Sequence, residues 1–363
     1  MKKIRTVGVC LLLALWLGFT GFLWFGGKQD YTYSERRPLA QMPTLTGKDI
    51  LSGKFTADFE DFTLDQFPLR DGIRKVKSLF HYYVLHQSDN NGIYLVGDTV
   101  AKLEYPLNQT SVNYALGRLQ YLQQTYLQGT DCSIYSAMIP DKGFYLAEAN
   151  GYPAMDYEAM ETAFRDAMPW AAYVDIKGCL SAESYYRTDT HWRQEKILEV
   201  AQTLCRAMGA EAPNEDDYSP VTIENFYGVY FGQAALPMDG EDLVMLQSEL
   251  LQNCTVTDPI TGKTSRVYED VKSADLYDAF LSGPQPLLVI ENPAGQPGKE
   301  LVVFRDSYGS SLTPLLVNSY SKVTLVDIRY IHPDQIGDYV AFANQDVLFL
   351  YSALILNNGR SLK

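Results

Sequence analysis

Cysteine and histidine, the residues on which most metal centres and disulfide frameworks depend, are scarce in this sequence. Its 363 residues include five cysteines and four histidines, with no C-x-x-C pair and no Cys/His cluster. This scarcity argues against a zinc site, and no cofactor is expected. Four cysteines lie beyond the N-terminal segment: Cys132, Cys179, Cys205 and Cys254. We interpret them as buried thiols, although an oxidising compartment would permit a bridge, whose partners the sequence does not identify.

Positive charge is also in short supply. Lys and Arg total 30 against 44 Asp and Glu, which leaves a net charge of −14. Nucleic-acid binding needs concentrated Lys and Arg, so a nucleic-acid partner is not expected. An anionic membrane surface is a poor match for the same reason, and a neutral or cationic partner is easier to accommodate. The hydrophobic content of 46% excludes a disordered chain, and the 26 tyrosines suggest a surface lined with rings.

Charge is missing altogether from the run "TVGVCLLLALWLGFTGFLWFGG", which extends from residue 6 to residue 27. About twenty apolar residues cross a bilayer as a helix, so the run predicts a transmembrane segment. Lys2, Lys3 and Arg5 precede it, and positive charge keeps that end in the cytoplasm. We expect a cytoplasmic tip and signal anchor at 1–28 and a stalk at 29–54. The protein would then be a single-pass protein of the cell membrane with an extracytoplasmic main domain, or, alternatively, an exported protein with a cleaved signal.

Helix and strand patterns alternate through residues 55–363. Apolar runs such as "CSIYSAMIP", "LVVFRDS" and "DVLFLYS" are typical of buried strands, while "YEAMETAFRDAM" and "RQEKILEVAQTLCRAMGA" have apolar residues at helical spacing. This alternation predicts an α/β domain with a mostly parallel sheet flanked by helices. Residues 213–283 break the alternation, where "FYGVYFGQ" and "SRVYED" predict a small insertion of short antiparallel strands.

Ser307 follows an apolar strand and precedes a helix in "ELVVFRDSYGSSLTPLL". This position exposes a hydroxyl at the carboxyl end of a predicted parallel strand, where open α/β sheets carry their sites. It also places the N–H groups of a helix start beside the hydroxyl, ready to bind a developing oxyanion. The simpler interpretation is that Ser307 or Asp306 is a helix N-cap.

A serine nucleophile needs a base, and the base needs a carboxylate to orient it. In "SYYRTDTHW" an extended backbone would point Asp189 and His191 to the same side, because side chains alternate along a strand. Trp192 would wall the site and exclude water. A structural hydrogen-bonded pair is an equal alternative, and a metal site that adds His332 is a weaker one.

The segments "DTHW", "FRDSYGSSLTPLL" and "VTLVDIRY" together resemble the bacterial DHHW protein family. That family is itself similar to SGNH-hydrolase-like proteins of the alginate O-acetyltransferase type. Further segments with this likeness are "ERRPLA", "FTADFEDFTLDQFPLRD", "IPDK" and "DLYDAFLSG", so it spans most of the chain. Two positions depart from the pattern: Thr190 replaces the first His of the family, and Arg305 replaces the Gly of the SGNH block.

The resemblance implies a three-layer SGNH-like fold with Ser307 as nucleophile, His191 as base and Asp189 as its orienting carboxylate. The N–H of Ser307 is the expected oxyanion donor. Trp192, Arg329 and Tyr330 are candidate substrate-binding residues. For Arg329 the alternative is a surface ion pair with Asp327.

The resemblance also implies a function. We expect an extracytoplasmic O-acyltransferase or esterase that modifies a cell-surface or exported polysaccharide through an acyl-serine intermediate. A polytopic membrane acyltransferase is the expected source of the acyl group. The alternative is a non-catalytic glycan-binding or scaffold protein of the cell envelope on the same fold, because function does not follow from fold.

Overall fold

A computed structural model of the chain describes residues 2–25, 28–32, 34–271, 273 and 275–363. The chain divides into two compact units. The N-terminal unit comprises Met1–Asn90 together with Phe231–Pro237, and the sheet unit comprises Asn91–Tyr230 together with Met238–Lys363. All the candidate site residues belong to the sheet unit.

The α-helices are α1 (Lys2–Phe25), α2 (Gly47–Leu51), α3 (Lys54–Asp65), α4 (Arg70–Leu79), α5 (Gln109–Leu122), α6 (Lys142–Leu146), α7 (Tyr157–Ala167), α8 (Leu198–Ala207), α9 (Val229–Ala234), α10 (Glu249–Asn253), α11 (Tyr308–Leu312) and α12 (Ala353–Asn357). The strands are β1 (Tyr31–Thr32), β2 (Arg37–Pro38), β3 (Asp89–Asn90), β4 (Ile93–Val96), β5 (Thr99–Lys102), β6 (Ser133–Ile139), β7 (Ala172–Tyr173), β8 (Ser219–Phe226), β9 (Glu241–Gln247), β10 (Thr255–Asp258), β11 (Lys263–Ser265), β12 (Leu287–Glu291), β13 (Gln296–Arg305), β14 (Tyr320–Val326) and β15 (Asp346–Ser352).

Ion pairs hold the N-terminal unit together. Arg37 of β2 donates two bonds of 2.6 and 2.7 Å to Asp65 at the end of α3. Glu35 accepts a bond of 2.5 Å from Arg70 and lies 3.1 Å from Arg74, both on α4. These ion pairs link the segment "ERRPLA" to the segment "FTADFEDFTLDQFPLRD". The break between α3 and α4 contains Pro68, a residue that disfavours a continuous helix.

The structure contradicts the predicted membrane anchor. Crossing a bilayer takes about twenty consecutive apolar residues in one helix. Among the residues that the structure describes, no helix has both the length and the apolar character for this. The predictions of a transmembrane helix and of a single-pass location at the cell membrane are therefore wrong. Met1 of the predicted cytoplasmic tip and the Gly26–Gly27 end of the predicted span lie outside the described residues.

The main sheet of the sheet unit has eight strands in the order β11-β10-β12-β14-β13-β15-β6-β7. The five strands from β14 to β7 are parallel neighbours, whereas β11, β10 and β12 join them antiparallel. The sheet is therefore mixed: four of its seven strand pairings are parallel, and the prediction of a mostly parallel sheet has to be corrected for the antiparallel edge. Only residues 292–295 connect β12 to β13, and so short a connection reverses the chain, because a parallel return takes a dozen residues or more.

Both faces of this sheet are buried. Along β13 the side chains alternate, so that Leu301 and Val303 pack on one face while Val302 and Phe304 pack on the other. Residues of α8 cover the first face, and residues of α5 and α7 cover the second. Full burial of side chains of this size contributes roughly 1.5–3 kcal/mol each. The packing of three layers therefore fixes the end of β13, after which Ser307 follows.

Residues 213–283 do contain antiparallel strands, but not all where the sequence predicts them. β8 pairs with β9, and the hairpin of β10 and β11 extends the edge of the main sheet. The segment "FYGVYFGQ" is wrongly predicted as a strand, because α9 occupies most of it. Tyr, Phe and Val favour strands only weakly, and here the backbone of Val229 instead turns towards Asp189 and binds its carboxylate.

Candidate active site

Ser307 lies at the carboxyl end of β13, and α11 begins at the next residue. Asp306 caps this turn, because its carboxylate accepts the N–H of Tyr308 at 3.0 Å and that of Ser352 at 2.8 Å. The side chain of Ser307 makes no capping bond. The hydroxyl of Ser307 is therefore free to act elsewhere, at the edge where open α/β sheets carry their sites.

The imidazole of His191 bridges Ser307 and Asp189. Its Nε2 lies 2.8 Å from Oγ of Ser307, and its Nδ1 lies 2.6 Å from Oδ1 of Asp189. A serine nucleophile, its base and the carboxylate that orients the base make contacts of this kind. The structure thus brings Ser307 to Asp189 and His191, which lie more than a hundred positions earlier in the sequence.

A bend, rather than the predicted extended segment, brings Asp189 and His191 together. Oδ1 of Asp189 accepts the backbone N–H of His191 at 3.0 Å, the hydrogen bond of an Asx turn. Oδ2 accepts the N–H of Val229 at 2.7 Å. Asp189 is only 1% exposed, so these bonds fix the orientation of its carboxylate.

Gly228 lets the chain pass directly against Asp189. A Cβ added at this glycine would lie 2.2 Å from Cβ of Asp189, and 2.3 Å from both its Cα and the carbonyl oxygen of Thr188. Two of these three atoms belong to the backbone and cannot swing aside. The close approach therefore requires glycine, a requirement that sequence reasoning missed.

Tyr277 holds the plane of the imidazole. Its ring stacks on that of His191 with 3.9 Å between centroids and 8° between planes. The Tyr277 hydroxyl lies 2.8 Å from Oγ of Ser311, on the helix that follows the candidate nucleophile. Tyr277 belongs to the segment "DLYDAFLSG", which carries part of the family resemblance, yet the sequence assigns it no role.

Thr190, which replaces the first His of the family, lies between two tyrosines. Its Oγ1 accepts from Tyr230 at 3.2 Å and lies 3.3 Å from the hydroxyl of Tyr308. Tyr308 also donates to the carbonyl oxygen of Thr190 at 2.7 Å. These bonds fasten the bend to α11 and leave the contact with Ser307 to His191.

Trp192 fastens the same bend from the inside. It is fully buried, and its indole N–H donates to Oγ of Ser311 at 2.9 Å and to the carbonyl oxygen of Tyr308 at 3.2 Å. In this position Trp192 offers no surface to a substrate.

Arg329 and Tyr330 follow β14, at the same edge of the sheet as Ser307. Arg329 is paired with Asp327 through bonds of 2.9 and 2.6 Å, and this ion pair raises the pKa of its guanidinium. Asp327 is buried and also lies 3.7 Å from the buried Arg305, so the pair is not a surface pair. Tyr330 is 45% exposed. Substrate contact by Arg329 or Tyr330 stays a prediction.

The remaining histidine and cysteine chemistry lies apart from this site. His332 is exposed and pairs with Asp334. All five cysteines are free thiols, and burial raises the pKa of Cys205 to about 12 and that of Cys254 to about 11. In the described part of the chain, no group of three or more His, Cys, Asp or Glu side chains is placed to hold a metal ion.

Several solved structures are similar to this chain. A DHHW family protein from Eubacterium siraeum is 23% identical, with a TM-score of 0.62 over 75% of this chain and 94% of that one. Bacillus cereus PatB1, in a structure with a sulfonyl adduct, is 18% identical, with a TM-score of 0.56 over 73% and 95%. The O-acetyltransferase domain of Pseudomonas putida AlgJ is 14% identical, with a TM-score of 0.43 over 73% and 92%.

The first two of these comparisons confirm the resemblance at the level of the fold. The chain has the fold of a DHHW family protein, as its motifs predict. No family model matches the sequence, and comparison with curated protein sequences finds no match. At such low identity the likeness extends to the fold and not to the chemistry.

Proposed function

We propose that this protein is a serine-dependent O-acyltransferase or esterase that acts on a polysaccharide. One observation carries the proposal: the unbroken sequence of contacts from Asp189 through His191 to Ser307, with 2.6 and 2.8 Å between the paired atoms. A base within about 3 Å of a serine hydroxyl can take its proton. A non-catalytic glycan binder has no need of this contact, so the geometry favours the enzyme.

The reaction would proceed in two steps through an acyl-serine. Oγ of Ser307 attacks the carbonyl carbon of the donor while Nε2 of His191 takes the hydroxyl proton. The leaving group departs with that proton. In the second step a sugar hydroxyl, or water, gives its proton to His191 and attacks the ester. The bond between the acyl group and Oγ of Ser307 then breaks, and Oγ takes the proton back from His191, which restores free Ser307.

The surrounding residues supply position and charge for these steps. Asp189 accepts from Nδ1 of His191, which leaves Nε2 as the basic nitrogen that faces Ser307. It also stabilises the imidazolium that forms when His191 takes the proton. The N–H of Ser307, at the turn into α11, is the proposed donor to the developing oxyanion, since the N–H of Tyr308 is bonded to Asp306.

The choice of acyl chemistry and of a glycan rests on resemblance. Sulfonyl reagents are electrophiles that form adducts with nucleophiles, and PatB1, which shares this fold, has a structure with such an adduct. The segments "DTHW" and "FRDSYGSSLTPLL" add the likeness to proteins of the alginate O-acetyltransferase type. A polytopic membrane acyltransferase remains the proposed acyl source.

A transfer assay tests the proposal. The full-length chain would be incubated with an activated acetyl ester and a panel of purified oligosaccharides, and the sugars analysed by mass spectrometry. We expect O-acetyl sugars with wild type and none above background with Ser307→Ala. Ester hydrolysis without sugar products would identify an esterase. If neither reaction depends on Ser307, the proposal is wrong.

A further inference from the structure

The backbone that leads into Asp189 lies between two buried side chains of opposite charge. Residues 186–188 form this lead-in segment, and they precede Asp189 directly. Lys142, at the start of α6, is 2% exposed, and Glu241, at the start of β9, is 8% exposed. Burial of a charge is costly unless hydrogen bonds satisfy it. Two buried charged residues beside one segment therefore indicate a specific structural or functional role.

Lys142 binds the carbonyl groups of the lead-in segment. Its ammonium donates to the carbonyl oxygen of Tyr186 at 2.9 Å and to that of Arg187 at 3.3 Å. A third bond, of 2.5 Å, goes to the carbonyl oxygen of Val100. The ammonium also lies 5.1 Å from the ring centre of Tyr230. All three protons of Lys142 are therefore used, two of them on the lead-in segment.

Glu241 binds the N–H groups of the same segment. One carboxylate oxygen accepts the N–H of Arg187 at 2.8 Å. The other accepts the N–H of Thr188 at 2.8 Å and its hydroxyl at 2.7 Å. The Thr188 hydroxyl in turn accepts the N–H of Gly228 at 2.9 Å, next to the residue that binds Asp189. Glu241 is thus linked to Asp189 in two ways: through Thr188, which precedes Asp189, and through Gly228, which precedes the residue that binds its carboxylate.

We propose that Lys142 and Glu241 are positioning residues, which hold the lead-in segment so that Asp189 and His191 reach Ser307. This inference rests on the proposed function. Lys142 fixes the segment through its carbonyl groups and Glu241 through its N–H groups, so the segment cannot shift towards either side without loss of a charged hydrogen bond. An error of about 1 Å in the position of a reacting group can cost about a hundredfold in rate.

Two opposing effects act on the charge of Lys142. Burial lowers its pKa to about 7, while the carboxylates of Asp189, Glu241 and Asp141 all favour the charged form. The peptide groups between Lys142 and Glu241 are polarised by both charges at once, which strengthens the bonds on either side.

The test compares Lys142→Met and Glu241→Gln in the full-length chain. The first removes the charge and all three donors, and the second turns one acceptor oxygen into a donor that opposes a backbone N–H. Lys322→Met is the matched control, since Lys322 is half-exposed and pairs with Glu300 at 3.6 Å. Circular dichroism would establish the folded fraction of each variant.

Two readouts follow on the folded protein. The low-field proton resonance of the Nδ1–H of His191, identified by its loss in His191→Ala, reports the bond to Asp189 without any need for turnover. We expect it to shift or broaden in both variants. The rate of acylation of Ser307 by an activated ester should fall about 10- to 100-fold. Lys322→Met should change neither.

The outcomes separate the two proposals. If folded Lys142→Met and Glu241→Gln keep the resonance and react within twofold of wild type, the positioning role is refuted. If Lys142→Met does not fold, Glu241→Gln decides alone. If wild type shows the resonance but no acylation, the proposed function fails while the resonance still tests the positioning role.

Discussion

Substitution of Gly228 by alanine tests how closely Asp189 must be held. The added Cβ would lie 2.2 Å from Cβ of Asp189 and 2.3 Å from the Thr188 carbonyl oxygen, whereas ordinary contacts begin at 3.4 Å. Either the segment at Gly228 or the segment at Asp189 must therefore move by about 1 Å, a displacement that can cost about a hundredfold in rate. We expect the acylation rate of folded Gly228→Ala to fall by about that factor, with a loss of stability of about 1–3 kcal/mol.

The assay is the second-order rate of acylation, measured per mole of folded protein. Gly117→Ala is the matched control, because a Cβ at Gly117 of α5 meets nothing within 4 Å. That control should keep the wild-type rate and gain up to about 1 kcal/mol of stability from the better helix propensity of alanine. A folded Gly228→Ala that reacts within twofold of wild type would refute the argument from close approach.

Three further predictions concern stability and the imidazole. Burial raises the pKa of Asp141 to about 6, so its proton is held more tightly in the folded state. Relative to Asp141→Asn, the wild-type free energy of unfolding should therefore fall by about 2 kcal/mol as the pH rises from 4 to 6 in urea titrations; parallel curves would contradict this. Asp327→Asn should cost about 3–5 kcal/mol, since it leaves buried Arg305 without its carboxylate, whereas Glu300→Gln at the half-exposed pair with Lys322 should cost under about 1 kcal/mol. Equal losses in the two variants would refute the difference in burial. Tyr277→Ala should slow acylation about tenfold, an order of magnitude for lost positioning of the base, and Tyr277→Phe, which keeps the stacked ring, should slow it far less; equal rates would show that stacking does not matter.

The sequence predicts best those elements whose local pattern matches their burial. β6, β13 and β15 are continuous apolar runs because both faces of the sheet are covered, and each lies where the sequence predicts it. The position of Ser307 follows from the end of β13. His191 was found by elimination, since only four histidines exist and one has an acid two residues before it.

Contacts between distant segments cannot be predicted from local sequence patterns. The contacts made by Tyr277, Lys142 and Glu241 join residues that lie 40 to 90 positions apart in the sequence. No local pattern indicates them. α9 replaces a predicted strand for the same reason, because its first N–H binds Asp189. The antiparallel edge of the sheet depends on the length of one connection and on strand order, and hydrophobic periodicity records neither.

The most direct test of the account is the intact mass of the full-length chain after incubation with an activated acetyl ester. Wild type, Ser307→Ala and His191→Ala would be measured side by side, with folding checked by circular dichroism. The account predicts a single acetyl adduct in wild type, none in Ser307→Ala, and formation slowed about 10²- to 10⁴-fold in His191→Ala, the usual contribution of a general base. An adduct that survives Ser307→Ala, or wild type that acquires none, would contradict the claim that Ser307 is the nucleophile.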